Sequence, residues 1–268
     1  MVAVVRRQLG TRAVGHAGTL DPFATGLLVV LVGKATRLAR FVEGMPKRYR
    51  AVVRFGAATD TDDPTGRVTQ ALSPGTWPDR VAMDALAGQF VGRHSQRPPP
   101  YSAKHVDGVR SHVLARQGAA VALAEVAVEI AGIDVGDWSP PDLTLEATVG
   151  RGTYLRALAR DLGERSGIPA HCAELRRLSI GPFDVQHAIA PDDVTAAHLR
   201  PSAEMVPELE TETIDPDAVR EIGFGRRVMQ RAVHDGPGAL LAADGRLVGV
   251  AEGREGWWHP VVVLEPAG

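Results

Sequence analysis

The apolar and polar positions of this chain switch repeatedly between a helical and a strand period. Residues 2–9 carry apolar spacing that suits a helix and stop at Gly10. Residues 27–32 form an unbroken apolar run, which reads as a buried strand or the start of a buried helix. Residues 48–55 set Arg48, Arg50 and Arg54 against Tyr49, Val53 and Phe55, which predicts a strand with a basic face. Residues 59–66 (TDTDDPTG) read as a turn-rich loop, 79–90 as an amphipathic helix, and 97–101 as a stiff, extended, proline-bearing segment. Strands are expected over 125–135 and 143–149. A helix is expected over 153–166, with Leu155, Leu158, Ala159 and Leu162 on one face and Gly163 weakening its last turn. Residues 201–216, acidic and carrying three prolines, read as a linker. A hairpin around Asp244-Gly245 follows, then a last strand over 257–264. The pattern is that of an α+β chain ending in a small β-rich module.

Composition narrows this picture. A chain of 268 residues accommodates one large domain and a small one, and 44% apolar residues suit a well-cored globular protein. The single cysteine, Cys172, excludes an internal disulfide framework and a multi-cysteine metal site, and fits a reducing cytosol. No apolar run approaches the roughly 20 residues that span a bilayer. No signal peptide is expected, because no apolar core follows Arg6, Arg7 and Arg12.

Charge changes the picture more. Residues 1–54 hold ten Lys or Arg against two acids, whereas residues 201–268 hold six Arg against twelve acids. The net charge of −2 hides this asymmetry. A basic half points to a polyanionic partner, of which nucleic acid is the commonest; ordinary solvated surface is the alternative.

The stretch 15–28, GHAGTLDPFATGLL, holds the candidate chemistry. Pro22 disfavours a helical conformation at Asp21, and Gly15, Gly18 and Gly26 permit tight backbone paths. Asp21 is thereby held on a loop against the apolar run that follows. It is either a functional carboxylate or the cap of an Asx-turn. A functional carboxylate in a dry pocket needs a cation, and a guanidinium suits it best. Arg156, near the start of the 153–166 helix, is a candidate; a surface arginine is the alternative. Tyr49 sits where a base could stack, or is a half-buried sheet residue. His16 is a proton shuttle, a stacking residue or a turn residue.

The loop, followed by Gly33-Lys34-Ala35-Thr36-Arg37 and Lys47-Arg48-Tyr49-Arg50, closely resembles the TruB family of tRNA pseudouridine synthases. The likeness continues through Pro99-Pro100-Tyr101-Ser102-Ala103, Ala115-Arg116-Gln117-Gly118, Gly152-Thr153-Tyr154-Leu155-Arg156 and Leu175-Arg176-Arg177-Leu178. These motifs come in family order over about residues 10–185. The resemblance favours the TruB branch over the guide-RNA-dependent dyskerin branch. It implies a mixed, mainly antiparallel catalytic domain over residues 1–200, a linker over 201–216 and a PUA-like domain over 217–268. It also implies conversion of uridine 55 in the TΨC loop of tRNA to pseudouridine, with no cofactor and no metal. Asp21 matches the catalytic aspartate, Arg156 the arginine that pairs with it, and Tyr49 the tyrosine that stacks on the target base. Leu175 matches an apolar pocket residue, and His16 the histidine that fills the space left by flipped nucleotides. Arg37, Lys47, Arg48 and Arg50 are then expected at phosphates. The implied partner is the tRNA T-arm stem-loop, and the implied protein is a cytoplasmic monomer with no obligate protein partner.

Two departures from the family pattern are present. Members usually carry a strand and a Lys-Pro-x-Gly-x-Thr/Ser-Ser segment ahead of the helix that here begins at Val2. After Tyr101-Ser102-Ala103 they usually carry an apolar residue and then lysine, where this chain has Lys104 and then His105. The first departure supports a second reading, a tRNA-binding and folding factor with weak or absent catalysis. The presence of Asp21, Tyr49 and Arg156 argues against it. A hydrolase built on Asp21 fits poorly, because no second carboxylate accompanies it in the loop.

Overall fold

The computed structural model describes residues 1–99, 105–106, 109–110 and 124–265. The chain forms two compact units. One comprises Leu20–Leu27 and Gly44–Gln186; the other comprises Met1–Thr19, Leu28–Glu43 and His187–Gly268. The stretches 100–104 and 115–118, with Lys104, lie outside the described residues.

The first unit is built on a seven-stranded sheet. Its strands are β1 (Thr25–Gly26), β2 (Lys47–Phe55), β3 (Gly92–Gln96), β4 (Val126–Ser139), β5 (Asp142–Val149), β6 (Ala170–Ile180) and β7 (Phe183–Asp184). Their spatial order is β7-β6-β2-β5-β4-β3, with β1 added to β6. All pairings are antiparallel except that of β1 with β6. The architecture is the mixed, mainly antiparallel α+β arrangement expected from the sequence.

The alternation of β2 decides which face of the sheet is core. Tyr49, Ala51, Val53 and Phe55 are buried, while Arg48, Arg50 and Arg54 are exposed. The buried face packs with helices α1 (Arg80–Gly88) and α2 (Leu155–Ser166), through Met83, Leu86, Leu155, Leu158 and Leu162. Asp79 caps α1, its Oδ1 accepting the Ala82 N–H at 2.8 Å. Gly163 does not shorten α2. A Cβ there would lie 2.6 Å from the Ala170 nitrogen, so glycine lets the helix lie directly against β6.

Strand β6, adjacent to the central β2, was not anticipated from periodicity. Glu174, Arg176 and Arg177 interrupt its apolar positions, and register shifts at Cys172/Glu174 and Arg177/Ser179 break its alternation.

The second unit contains the helix Val2–Gln8 and an antiparallel hairpin of Val14–Ala17 with Val29–Val32, so the apolar run resolves as strand. It also contains a five-stranded sheet of β8 (Glu210–Thr213), β9 (Val228–Met229), β10 (Gly236–Leu241), β11 (Leu247–Arg254) and β12 (Trp257–Val263), in the order β8-β10-β11-β12-β9. The hairpin at Asp244-Gly245 joins β10 to β11. Residues 201–216 carry a 3-10 turn, Ser202–Met205, and strand β8. Helix α3 (Pro216–Gly223) supplies Ile222 to a core with Ile214, Leu240, Val248 and Trp258. No helix among the described residues is long and apolar enough to cross a membrane.

Candidate active site

Asp21 opens a β-turn. The Ala24 N–H donates to the Asp21 backbone oxygen at 2.9 Å, with Pro22 at the position where its fixed φ suits the turn. The backbone closes this turn, and the carboxylate is turned to Arg156. Leu20, Phe23 and Ala24 pack on the core, which fixes the turn from both sides of the carboxylate. Beyond it, β1 pairs with Arg176 and Arg177 of β6. The Leu27 N–H donates to the Arg177 oxygen at 2.9 Å, and Arg177 Nε donates to the Leu27 oxygen at 2.7 Å. Gly26 has φ +97°, and a Cβ there would lie 2.2 Å from the Arg177 oxygen. Only glycine fits at that position.

Arg156 meets Asp21 with a two-point contact. Its Nε donates to Oδ2 at 2.9 Å and its Nη2 to Oδ1 at 2.8 Å. The Arg156 side chain is 3% exposed and that of Asp21 is 27% exposed. The cation is therefore sealed in the protein while its partner faces outward. Arg156 is not the surface arginine its position in sequence allowed.

The TDTDDPTG loop supplies the other side of Arg156. Nη1 donates to the Thr61 oxygen at 3.0 Å and lies 3.6 Å from Asp63 Oδ2. Asp63 Oδ1 in turn accepts from Thr61 Oγ1, the Thr65 N–H and Thr65 Oγ1 at 2.6–2.9 Å. Next to it, the Asp62 carboxylate accepts from Arg160 Nη1 at 3.0 Å. Burial pushes the Asp62 carboxyl above its ordinary range, opposed by the charge of Arg160. Arg160 also donates to Asp161 and to the Arg97 oxygen. What sequence reading takes for a turn-rich loop is a packed brace behind the Asp21–Arg156 pair.

Tyr49 lies on the buried face of β2, directly opposite Arg177 of β6. Burial raises the phenol's pKa; the charge of Arg177 opposes the rise, and the Asp21 carboxylate adds to it. Leu175, also buried, faces Ala51. Cys172 is fully buried, and that burial pushes its thiol well above the ordinary range, with Asp21 contributing. It is an inert packing residue. The arrangement is an outward-facing carboxylate held by a buried guanidinium, in the same unit as a buried tyrosine that stands opposite a second buried arginine.

Residues 6–155 match the family model described as TruB family pseudouridylate synthase (N terminal domain). This chain belongs to the TruB family. Residues 156–216 match the model for the tRNA pseudouridylate synthase B C-terminal domain. A tRNA pseudouridine synthase B of Thermobifida fusca is 40% identical over 98% of this chain and 93% of its own length. The one of Arthrobacter sp. is 37% identical over 100% and 92%. Among solved structures, a Cbf5-Nop10-Gar1 complex contains a chain that superposes with a TM-score of 0.74 at 22% identity, covering 99% of this chain and 80% of that one. At that identity the likeness shows the fold, which is of pseudouridine synthase type.

The residues nominated by the TruB resemblance divide into three groups. Asp21, Arg156, Tyr49 and Leu175 lie in one unit, with Asp21 paired to Arg156 and its charge acting on Tyr49. Lys47 shares the parity of Tyr49 on β2, and its Nζ donates to the Met45 oxygen at 3.0 Å. Arg48 and Arg50 lie on the other face, both hydrogen-bonded to Glu146 of β5. His16 and Arg37 belong to the other unit. His16 is exposed on the strand Val14–Ala17, and Arg37 Nη1 donates to the Val263 oxygen at 2.7 Å. Sequence reading missed Asp63 and Thr61, which contact Arg156, and Arg177, which ties the Asp21 loop to β6. The one available signal was Arg177 itself, which shares with Leu175 the inward parity of the Leu-Arg-Arg-Leu run. An arginine at an inward position must have a partner.

Proposed function

We propose that this chain isomerises a uridine of tRNA, uridine 55 in the TΨC loop, to pseudouridine, with Asp21 as the carboxylate that acts on the nucleoside. The observation that carries the reading is the two-point pairing of Asp21 with the buried Arg156 beside Tyr49. Membership of the TruB family and relatives named tRNA pseudouridine synthase B support tRNA as the substrate.

The reaction breaks the N1–C1′ bond, rotates the uracil and forms a C5–C1′ bond; the C5 proton leaves and N1 gains one. Nothing is consumed, so no co-reactant is required. Asp21 can add to C6, displace at C1′ or take a ribose proton. Each route needs an oxygen lone pair aimed outward. Each Asp21 oxygen accepts one bond from Arg156 and retains a second lone pair. The nucleotide must leave its stack, at a cost of a few kcal/mol that is lower in a loop than in a duplex. Tyr49 is the stacking platform and Leu175 an apolar wall of the pocket. Lys47 and Arg37 contact phosphates, and His16 fills the space of the flipped nucleotides. Arg48 and Arg50 would have to exchange Glu146 for phosphate to join them. The protein acts as a monomer on the T arm, and its single cysteine suits the cytosol.

The test is tritium release from C5-tritiated uridine in a T-arm hairpin, with the parent chain and Asp21→Asn in parallel, and in a hairpin lacking uridine 55. Release by the parent alone, and only from the hairpin with uridine 55, is expected. Release without uridine 55 overturns the site. Tight binding without release favours the binding and folding factor.

A further inference from the structure

We propose that Gln96 is a positioning residue of the active site. It fixes the start of α2, and thereby the guanidinium of Arg156 that holds Asp21. The inference rests on the function proposed above and adds a residue to it.

Gln96 ends β3, the edge strand of the sheet, in register with Val126 of β4. It is 1% exposed, so its carboxamide must find partners inside the protein. It finds two on one residue. Its Oε1 accepts the Tyr154 N–H at 2.9 Å, and its Nε2 donates to the Tyr154 oxygen at 3.2 Å. Tyr154 is where α2 begins. Its backbone is still extended, with φ −110° and ψ 118°, and its carbonyl also accepts the Leu158 N–H at 3.1 Å, the first bond of the helix. Arg156 follows two residues later. One turn beyond it, Arg160 Nη2 donates to the oxygen of Arg97, the neighbour of Gln96, at 2.9 Å. Residues 96 and 97 thus grip α2 on both sides of Arg156 along the chain.

The Gln96 contact copies a backbone pairing with a side chain. Glutamine and asparagine are the neutral side chains that carry a donor and an acceptor on one planar amide, and asparagine is a methylene shorter. Methionine would fill the same space but leave the Tyr154 N–H, at a helix start, without this partner. Tyr154 makes no side-chain cap to α2, so the strand end takes the place of the cap. The consequence for chemistry lies in the fork of Arg156. A guanidinium in two-point contact has a defined plane. Arg156 also donates to the Thr61 oxygen and faces Asp63, so it cannot follow a shift of its helix and keep every partner. A displacement of about 1 Å at the start of α2 would break a bond to Asp21, and misplacement on that scale costs up to about a hundredfold in rate.

Gln96→Met removes both bonds and keeps the volume. Its single-turnover rate on a C5-tritiated T-arm hairpin is expected to fall about 10- to 100-fold, with hairpin affinity within about threefold of the parent. The loss should run through Arg156. In an Arg156→Lys background, where the fork is already gone, Gln96→Met should cost less than about threefold in the residual rate. Equal losses in both backgrounds, or a parental rate in Gln96→Met, would make Gln96 a fold residue only and overturn the proposal. If Gln96→Met does not fold, Gln96→Glu at about pH 8.5 carries the same comparison; its ionised carboxylate accepts the Tyr154 N–H but repels the Tyr154 oxygen. A crystal structure of the variant reads the claim without turnover. At least one of the two Asp21–Arg156 bonds is expected to be lost, and both retained at their parental lengths would overturn the proposal. If the parent makes no pseudouridine, the proposed function fails, and that structure still decides what Gln96 does to Arg156.

Discussion

Asp21 and Arg156 are 135 residues apart in sequence and meet through two hydrogen bonds of 2.8 and 2.9 Å. The two side chains are not equivalent. Arg156 is committed on every side, to Asp21, to the Thr61 oxygen and toward Asp63, whereas Asp21 keeps an open edge. An arginine so enclosed fixes the angle of the carboxylate before any substrate arrives. Preorganisation of this kind removes reorganisation cost from the reaction itself.

Asp21→Asn retains the volume and one acceptor oxygen but loses the charge that answers Arg156. Pseudouridine formation should fall by at least about 10³-fold, within the range for loss of a positioned acid, base or nucleophile. Binding of the T-arm hairpin should stay within a few-fold, because the phosphate contacts proposed above lie elsewhere. Tritium release and filter binding check the two halves. Turnover retained in Asp21→Asn would remove the aspartate from its role.

Tyr49→Phe keeps the ring, and with it the stacking surface, but removes the phenol hydroxyl. The rate should drop by about a hundredfold or more while hairpin affinity is retained. A rate equal to that of the parent would reduce the tyrosine to a platform.

How far these features could be read in advance varied with their physical origin. The Asp21 turn was legible because Pro22 and Gly26 are local signals. The faces of β2 were legible too. The same alternation that buries Tyr49 sends Arg48 and Arg50 to the opposite side, where Glu146 holds them. From its own pattern Arg156 could be nominated but not paired, since a contact across 135 residues leaves no periodic trace; only the family resemblance implied the pair. Strand β6 was hidden because its inward Arg177 reads as a surface residue until its partners are known. The brace at Thr61 and Asp63 was hidden for a related reason: TDTDDPTG has the composition of a turn, and only Arg156 and Arg160 behind it give its carboxylates a reason to be buried.

Asp63 touches the Asp21 carboxylate only through Arg156, so Asp63→Asn should separate positioning from binding. The side chain would keep bonds to Thr61 and Thr65 but lose its charge toward Arg156 Nη1. The maximal rate should fall about 10- to 100-fold, the scale on which small misplacements act, with KM for the hairpin nearly unchanged. A rise in KM with an intact maximal rate would mean that the loop serves RNA binding.

Gly26→Ala tests the clamp between the Asp21 loop and β6. Alanine would face both a φ of +97° and a backbone oxygen at 2.2 Å. The expected cost is roughly 2–4 kcal/mol in the denaturant midpoint, with a loss of turnover from the displaced turn. A variant as stable as the parent would show that β1 can separate from Arg177 without consequence.

The outer face of β2 gives a prediction in pH. The hydrogen bond from Arg50, with the charge and hydrogen bond of Arg48, holds the Glu146 carboxyl below its ordinary range; Arg54 does the same for Asp142. A folded-state pKa below the unfolded one means that the unfolded chain binds the proton first. The stabilisation is therefore complete above the unfolded value, near pH 4, and is lost as pH falls through the folded value. Glu146→Gln cannot titrate. Its stability should lie below that of the parent at neutral pH, by less than about 1 kcal/mol for so exposed a pair, and the two curves should converge as pH falls below about 4. Urea midpoints measured from pH 7 to pH 2.5 check this. Curves that stay parallel throughout would mean that Glu146 does not hold Arg48 and Arg50 in solution, which would return both arginines to the set available for phosphate.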